Sequence, residues 1–471
     1  MRVLHLVLMV LFCVLAAGAI PTTAQEASTA VSSETTNQQL SASGKADVEL
    51  QIRTMDRQIA LELLKLAEFN VRYELTVNHY ARWRSVFYPS AQEATYAGFL
   101  GFSVTDMSQR FRAWNNPALV SAPSIKRGLS SATVGAILGG TSSMAELVAD
   151  GAETMRANRK GFSPRDSVAF VHSQVERVDD MLARRHSLMD ELDLTGTRRE
   201  LLELKEQILE YERDRLVFEF KRWSVHSRGY AWYKNTFYVI NATVNASRFS
   251  AALLAFKSFT DPPYRGAVGP ILLASTFLAG VGPATSRIMQ RSIEKHQERF
   301  LSRQLPASPF LSDEEARKKL ERLAQLLKMN EARDQNSQLA SELIRLREET
   351  IGLDKLVYHE ERNIQRFRKV VGLQQKIVPF LAIEATASNV IDTVAYFGYR
   401  GKPLVSNRLR FAGDVVIIPA EGIALTATPA AAIWTYAYEH NLRRKGEHPD
   451  QVLSKRLKEL KAMQAVVEAW R

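Results

Sequence analysis

The chain has 471 residues, 46% hydrophobic and 24% charged, ordinary globular values that exclude a disordered chain and one buried in a membrane along its whole length. Lys and Arg total 62 against 51 Asp and Glu, a net of +11, with signs alternating along most of the chain. A solvated basic surface is therefore expected, and anionic lipid or an envelope polymer is the partner class that it would attract.

Met1 and Arg2 precede the uncharged run Val3 to Ala19 and then IPTTAQ, the order of a basic region, an apolar region and a small-residue cleavage site. This predicts a signal peptide over 1–24 and an exported protein, periplasmic or secreted. The only cysteine, Cys13, follows Phe12 inside that segment, where a lipid-anchored signal needs a small residue. The mature chain is then free of cysteine, which excludes disulfides, thiolate metal sites and cysteine nucleophiles. Residues 25–46, rich in Ser, Thr, Gln and Ala, are expected to form a flexible leader.

From there the apolar spacing is helical. Ile59, Leu63, Leu66, Tyr73, Val77 and Tyr80 alternate at three and four, as do Leu201, Leu204, Ile208, Tyr211 and Phe218, and Leu339, Leu343, Leu346 and Leu353. Long amphipathic helices with coiled-coil-like seams follow from this pattern. Each series leads into an aromatic-basic collar. Residues 80–88 read YARWRSVFY, 230–238 read YAWYKNTFY, and 365–371 read QRFRKVV, which pairs Trp83 and Arg84 with Tyr233 and Lys234 and with Phe367 and Arg368.

Other markers keep the same interval. Pro117, Pro262 and Pro403 break the pattern after an Ala-rich stretch, a Gly/Ala-rich apolar run follows (Gly128 to Val148, Gly266 to Ser286, Gly413 to Tyr438), and Pro164, Pro309 and Pro449 open short charged helices. Ser163 with Asp166, and Ser312 with Glu315, suit the N-terminal caps of such helices. The fold class expected is thus all-α, with three internal repeats of about 145 residues, over 47–192, 193–332 and 333–471. Each repeat is a long amphipathic coiled-coil-like helix, an Ala-rich apolar helical hairpin and a short charged helix. Val415 to Ile418 is the only β-branched cluster of note, and Pro419 ends it.

The collars carry Trp, Tyr, Arg and Lys, whose apolar bodies and polar tips suit a boundary, either the rim of a soluble core or a membrane surface. The six collar residues are the candidate interface. The apolar runs decide between the two boundaries. Gly266 to Ser286 is uncharged and could cross a bilayer, but the first run holds Glu146 and Asp150 and the third holds Asp414 and Glu421, each costly at mid-bilayer. On that account buried helices of a water-soluble bundle are expected, with conditional membrane insertion as the alternative.

No chemistry is signalled. The nine histidines never fall three or four residues apart, so no zinc pair forms on a helix turn. No phosphate loop or nucleophile elbow is present. Glu384, Asp392 and Glu421, carboxylates inside apolar stretches of the third repeat, are the ones to follow. The expectation is a non-enzymatic structural or interaction component of the periplasm or cell envelope, without cofactor, metal or nucleic-acid ligand. Its partner would be a protein or the envelope surface, with an anionic membrane as a further class. The alternative is a soluble-to-membrane inserting helical protein, pore-forming or membrane-remodelling.

Overall fold

A computed structural model describes residues 42–77, 84–192, 195–305, 381–469 and a few positions between 315 and 326. The expected signal peptide at 1–24, Trp83, Phe367, Arg368, the seam at Leu339 to Leu353, and the Pro309 and Ser312 start lie outside the described residues. The chain divides into two units, 1–48 and 49–471; of the first only 42–48 are described, as helix, and the rest of the account concerns the second.

Every regular element among the described residues is helical. The order is α1 (Ala42–Val77), α2 (Arg84–Arg112), a 3-10 turn (Pro117–Leu119), α3 (Ala122–Ala157), a π turn (Asn158–Phe162), α4 (Pro164–Glu191) and α5 (Thr197–Lys257). A second 3-10 turn (Pro262–Tyr264), α6 (Arg265–Gln304), a helical segment at 381–397, α7 (Pro403–Lys445) and α8 (Pro449–Ala469) follow. The expected boundary at 193 falls between α4 and α5. Helix α1 starts at Ala42, inside the stretch expected to be a flexible leader.

The breaks have local causes. Asn116 accepts the Ala118 amide at 3.1 Å ahead of Pro117, and Ser121 accepts the Ser124 amide at 3.4 Å to start α3. Ser163 accepts the Asp166 amide at 3.1 Å at the head of α4, with Pro164 in the first turn, which is the expected cap. Gly446, at φ 73°, closes α7 by the left-handed turn that glycine tolerates best. Four prolines lie within helices, Pro270 and Pro283 in α6 and Pro419 and Pro429 in α7. The β-branched cluster at 415–418 is likewise helical, its propensity overridden by the surrounding helix pattern.

The two ends of the molecule are built on opposite principles. At one end α1, α4, the first half of α5, the end of α6 and α8 share an apolar core that includes Ile59, Leu66, Val71, Val171, Val178, Leu209, Phe220, Leu301 and Leu460. Phe69 stacks on Phe170 at 4.3 Å and Tyr73 meets Phe220 edge to face at 5.4 Å. The expected seam of α1 is buried at Ile59, Leu63, Leu66 and Tyr73, but in α5 Phe218 is 54% exposed and Phe220 takes the core position. The reason is register: Phe220 continues the face set by Leu209 and Leu216, whereas Phe218 lies about 200° round the helix from Phe220. Inside this core Arg185, with no exposed surface, donates to Asp56 and Glu206, both at 2.6 Å, and to the Leu202 carbonyl at 3.1 Å.

At the other end six helical stretches close into a ring. Neighbours pack in the order α2, α3, the second half of α5, the first half of α6, segment 381–397 and α7, and Asn407 of α7 returns to α2 by donating to the Arg110 and Ala113 carbonyls at 3.2 and 3.1 Å. The three connections, 113–121, 258–264 and 398–402, lie together at the ring's far end.

Candidate functional site

The collar is where the two ends meet. Tyr88 and Tyr238, the closing tyrosines of the first two aromatic-basic motifs, touch edge to face at 5.1 Å, and Asn241 donates to the Tyr88 hydroxyl. Tyr233 is half-buried and stacks on Tyr230. Lys234 lies 5.5 Å over the Tyr230 ring and reaches Asp150 of α3 at 3.2 Å. Of the six candidate residues, then, Tyr233 and Lys234 are seen in contact with one another's surroundings, Arg84 begins α2 without a described side chain, and the other three lie outside the described residues.

Beyond the collar the burial pattern inverts. In α3 the buried positions include Gly128, Gly135, Gly139, Ser142, Ser143, Glu146 and Asp150, while Val134, Val148 and Met155 are 55%, 68% and 64% exposed. In α6 Ser275, Thr276, Gly282 and Ser286 are buried, whereas Phe277 and Ile288 face outward. Segment 381–397 buries Ser388 and Asn389 and exposes Ile383 and Phe397; α7 buries Asn407, Asp414 and Glu421 and exposes Ile433 and Trp434. Water-soluble cores do the opposite.

Three helical stretches, Ala122–Glu191, Pro262–Gln304 and Pro403–Ala469, are long and apolar enough to cross a membrane, and only 39%, 22% and 19% of their most apolar windows are buried. The apolar surface of these runs is therefore mostly on the outside, and the expectation of buried helices does not describe it.

Small residues hold the ring together. A Cβ on Gly98 would lie 2.5 Å from the Ser131 carbonyl oxygen, and one on Gly139 would lie 2.5 Å from Thr95 Oγ1. Thr95 donates to the Gly135 carbonyl at 2.8 Å and Ser131 to the Gly98 carbonyl at 3.0 Å. Close backbones joined by hydroxyl hydrogen bonds are a way to pack helices without large apolar side chains between them. Gly98→Leu should therefore overpack the α2/α3 contact and cost about 1–3 kcal/mol. Thermal melting in detergent checks this: several degrees should be lost, while Gly151→Ala, where nothing lies within 4 Å of the new carbon, should melt unchanged or slightly higher.

The ring encloses a cavity of about 240 Å³. Its charged lining gathers Asp106 and Arg110 of α2, Arg248 of α5, Asp392 of segment 381–397, and Asp414 and Glu421 of α7, with Arg265 and Arg410 also on the wall. Arg110 donates to Asp106 at 2.8 Å and stands 3.7 Å from Asp414. Arg248 lies over Phe99 at 5.0 Å. Asp106 Oδ1, Asp414 Oδ2 and Glu421 Oε2 are buried without a hydrogen-bond partner. Among the described residues no group of three acidic, histidine or cysteine side chains could hold a metal. Of the three carboxylates followed from sequence, Asp392 and Glu421 line the cavity and Glu384 does not. Asp106 and Arg110 were not singled out, although their spacing of four on one helix is a readable ion-pair signal.

Of the four carboxylates that argued against insertion, Glu146 and Asp150 lie toward the collar and Asp414 toward the connections, while Glu421 lies within the third run and faces the cavity. Asp150 pairs with Lys234 at the collar, and from there to Arg127 at the far end of α3 is roughly 35 Å at 1.5 Å rise per residue. Asp414 lies toward the connections, within reach of Arg110. Tyr238 at the collar and Phe259 past the end of α5 are likewise about 32 Å apart along the helix, close to the ~30 Å of a hydrocarbon core. Comparison with known protein families, curated proteins and solved structures finds no match for this chain.

Proposed function

We propose that the protein is a non-enzymatic, membrane-embedded helical protein of the cell envelope, in which the three hairpins occupy the bilayer and the apolar-cored helical end stands in water as an interaction platform. The observation that carries this reading is the inverted burial of the ring: Phe277, Ile288, Ile383, Ile433 and Val148, each 68% or 69% exposed, project from helices whose buried positions in the ring are mostly small or polar, among them Gly135, Ser142, Ser275, Asn389, Asn407 and Asp414. Lipid can cover such a surface, whereas water would penalise it. Aromatic-basic residues at both ends of the runs, about one hydrocarbon thickness apart, are the chemistry of two membrane interfaces.

We further infer that the architecture is a triplication. The recurrence of a long helix, a proline break, an apolar helix and a proline-headed helix supports it, as does the pairing of Tyr88 with Tyr238. Export through residues 1–24 belongs to the same proposal, since it would leave the helical end on the translocated side. The inserting reading is preferred to the soluble scaffold on the exposure of the runs alone, and the aqueous end keeps a role for a protein or envelope partner.

Flotation of the purified mature chain with liposomes tests it. Co-flotation that survives a carbonate wash and protects 84–157 and 230–304 from protease is the expected result. A chain that stays monomeric and soluble without detergent and leaves the liposomes behind would overturn the proposal.

A further inference from the structure

The three connections form one continuous end. Lys126 of the first hairpin lies 4.9 Å over the Phe259 ring of the second, the Tyr396 hydroxyl of the third is 3.5 Å from the Pro262 carbonyl of the second, and Arg408 of the third lies 5.0 Å over Trp114 of the first. Lys257 sits 4.0 Å over Tyr264, and Arg400 lies 5.9 Å over Tyr396. The end is thus a ring in which cations alternate with aromatic faces.

Its charge is one-sided. Leaving out Arg110, Arg265 and Arg410, which line the cavity with Asp106, Asp392 and Asp414, segments 112–127, 257–264 and 398–408 hold seven basic residues and a single acidic one, Asp261, a net of +6. Among the described residues Arg112, Lys126, Arg127, Arg400, Lys402 and Arg408 are exposed and have no carboxylate partner. The aqueous end differs, because its charges answer one another in pairs such as Arg456 with Glu219 and Arg213 with Asp179. Among the described residues the tips are therefore a locally basic surface.

Exposed apolar side chains adjoin the ring directly, Phe111, Leu119 and Phe397 at 67%, 63% and 62%. A flat polyanion such as nucleic acid would leave that apolar rim in water. A phospholipid leaflet covers both parts, with acyl chains on the rim and phosphates on the cations.

We propose that the tip ring is a binding surface for the phosphate groups of anionic phospholipids, and that it fixes the hairpin tips in the leaflet opposite the aqueous helical end. This rests on the membrane reading above. It also gives the orientation: basic residues in short connections are retained on the untranslocated side, so the apolar-cored helical end faces the translocated side.

Three arms test it. The full chain is first floated with vesicles of phosphatidylcholine alone and with vesicles in which part of that lipid is replaced by phosphatidylglycerol. At least roughly tenfold tighter association with the anionic vesicles is expected, and it should fall with added salt as exposed charges are screened. The variant Lys126→Gln/Arg127→Gln/Arg400→Gln/Lys402→Gln should lose this preference and still insert in neutral vesicles. In the second arm, single cysteines are introduced in a Cys13→Ser chain. With a membrane-impermeant maleimide, Glu191→Cys should label on intact vesicles and Asn116→Cys only after permeabilisation. In the third, DNA is added as a competitor at matched phosphate, and the preference for anionic vesicles should persist.

Equal association with neutral and anionic vesicles, or labelling of both cysteines from one side, would overturn this inference and leave hairpin insertion standing. No association with either vesicle would instead remove the membrane reading beneath it. Loss of the preference to DNA would assign the surface to nucleic acid and overturn the lipid proposal.

Discussion

Replacing Arg185 with alanine is expected to destabilise the apolar-cored helical end by about 3–5 kcal/mol, the range for removing one partner of a buried ion pair. Arg185 has no exposed surface, Asp56 is 2% exposed, and the guanidinium holds Asp56, Glu206 and the Leu202 carbonyl at once. Without it two carboxylates remain in an apolar core, with Lys205 3.9 Å from Asp56 as the nearest cation. Amide hydrogen exchange reads the effect locally. Protection in α4 and in the first half of α5 should fall by about 10²- to 10⁴-fold, while the ring helices change little. The quadruple variant Arg185→Met/Asp56→Leu/Glu206→Met/Lys205→Met, which removes the buried charges together, should recover most of the loss. If Arg185→Ala exchanges like the wild type, the network does not hold these helices together.

The second large effect is expected at Phe277, in the middle of the apolar run Gly266 to Ser286 and 68% exposed. An aspartate there would be harmless or helpful on a water-facing surface. In a bilayer it costs about 2.5–3.5 kcal/mol near the helix centre, enough to reduce insertion of the second hairpin strongly. Phe277→Asp should therefore lower the carbonate-resistant, liposome-bound fraction severalfold. Leu50→Asp is the control: Leu50 is similarly exposed, at 62%, but lies on α1, and its replacement should leave both solubility and membrane association unchanged.

Much of the helical pattern was legible from spacing. Ile59, Leu63, Leu66 and Tyr73 recur at helical intervals and all are buried, and Pro117, Pro262, Pro164 and Pro449 stand where helices or turns begin. The Ser163 cap was readable for the same reason, since it depends on residues three apart. The direction in which the apolar runs face was not. A run such as Gly128 to Val148 has the same composition whether its leucines and valines point inward or outward, and only the neighbouring helices decide. Here they approach so closely, at Gly98, Gly135 and Gly139, that no large side chain fits between the touching helices.

The cavity escaped sequence reading for a related reason. Asp106 and Arg110 could be paired from their spacing, but Asp414 and Asn407 join them from about 300 residues away, through a ring closure that no local pattern announces. The cost of charge in an apolar run was also assigned too simply, because it depends on depth. Asp150 at the collar is compensated by Lys234, and Asp414 by Arg110, whereas the sequence displays both only as interruptions. The continuation of α6 and α7 through four prolines shows the same limit, with tertiary contacts overriding local breakers.

Carbene labelling from within the bilayer tests the central claim most directly. The full chain is reconstituted, a lipid-soluble diazirine is photolysed in the hydrocarbon, and adducts are mapped by mass spectrometry. The account predicts adducts on the outward residues of the ring, including Val148, Phe277, Ile383 and Ile433, and none on the buried seam at Gly135, Ser142 and Ser275 or on α1, α4 and α8. Adducts concentrated on the surface of α1 and α4, or an unlabelled ring in a protein that co-sediments with the vesicles, would contradict it.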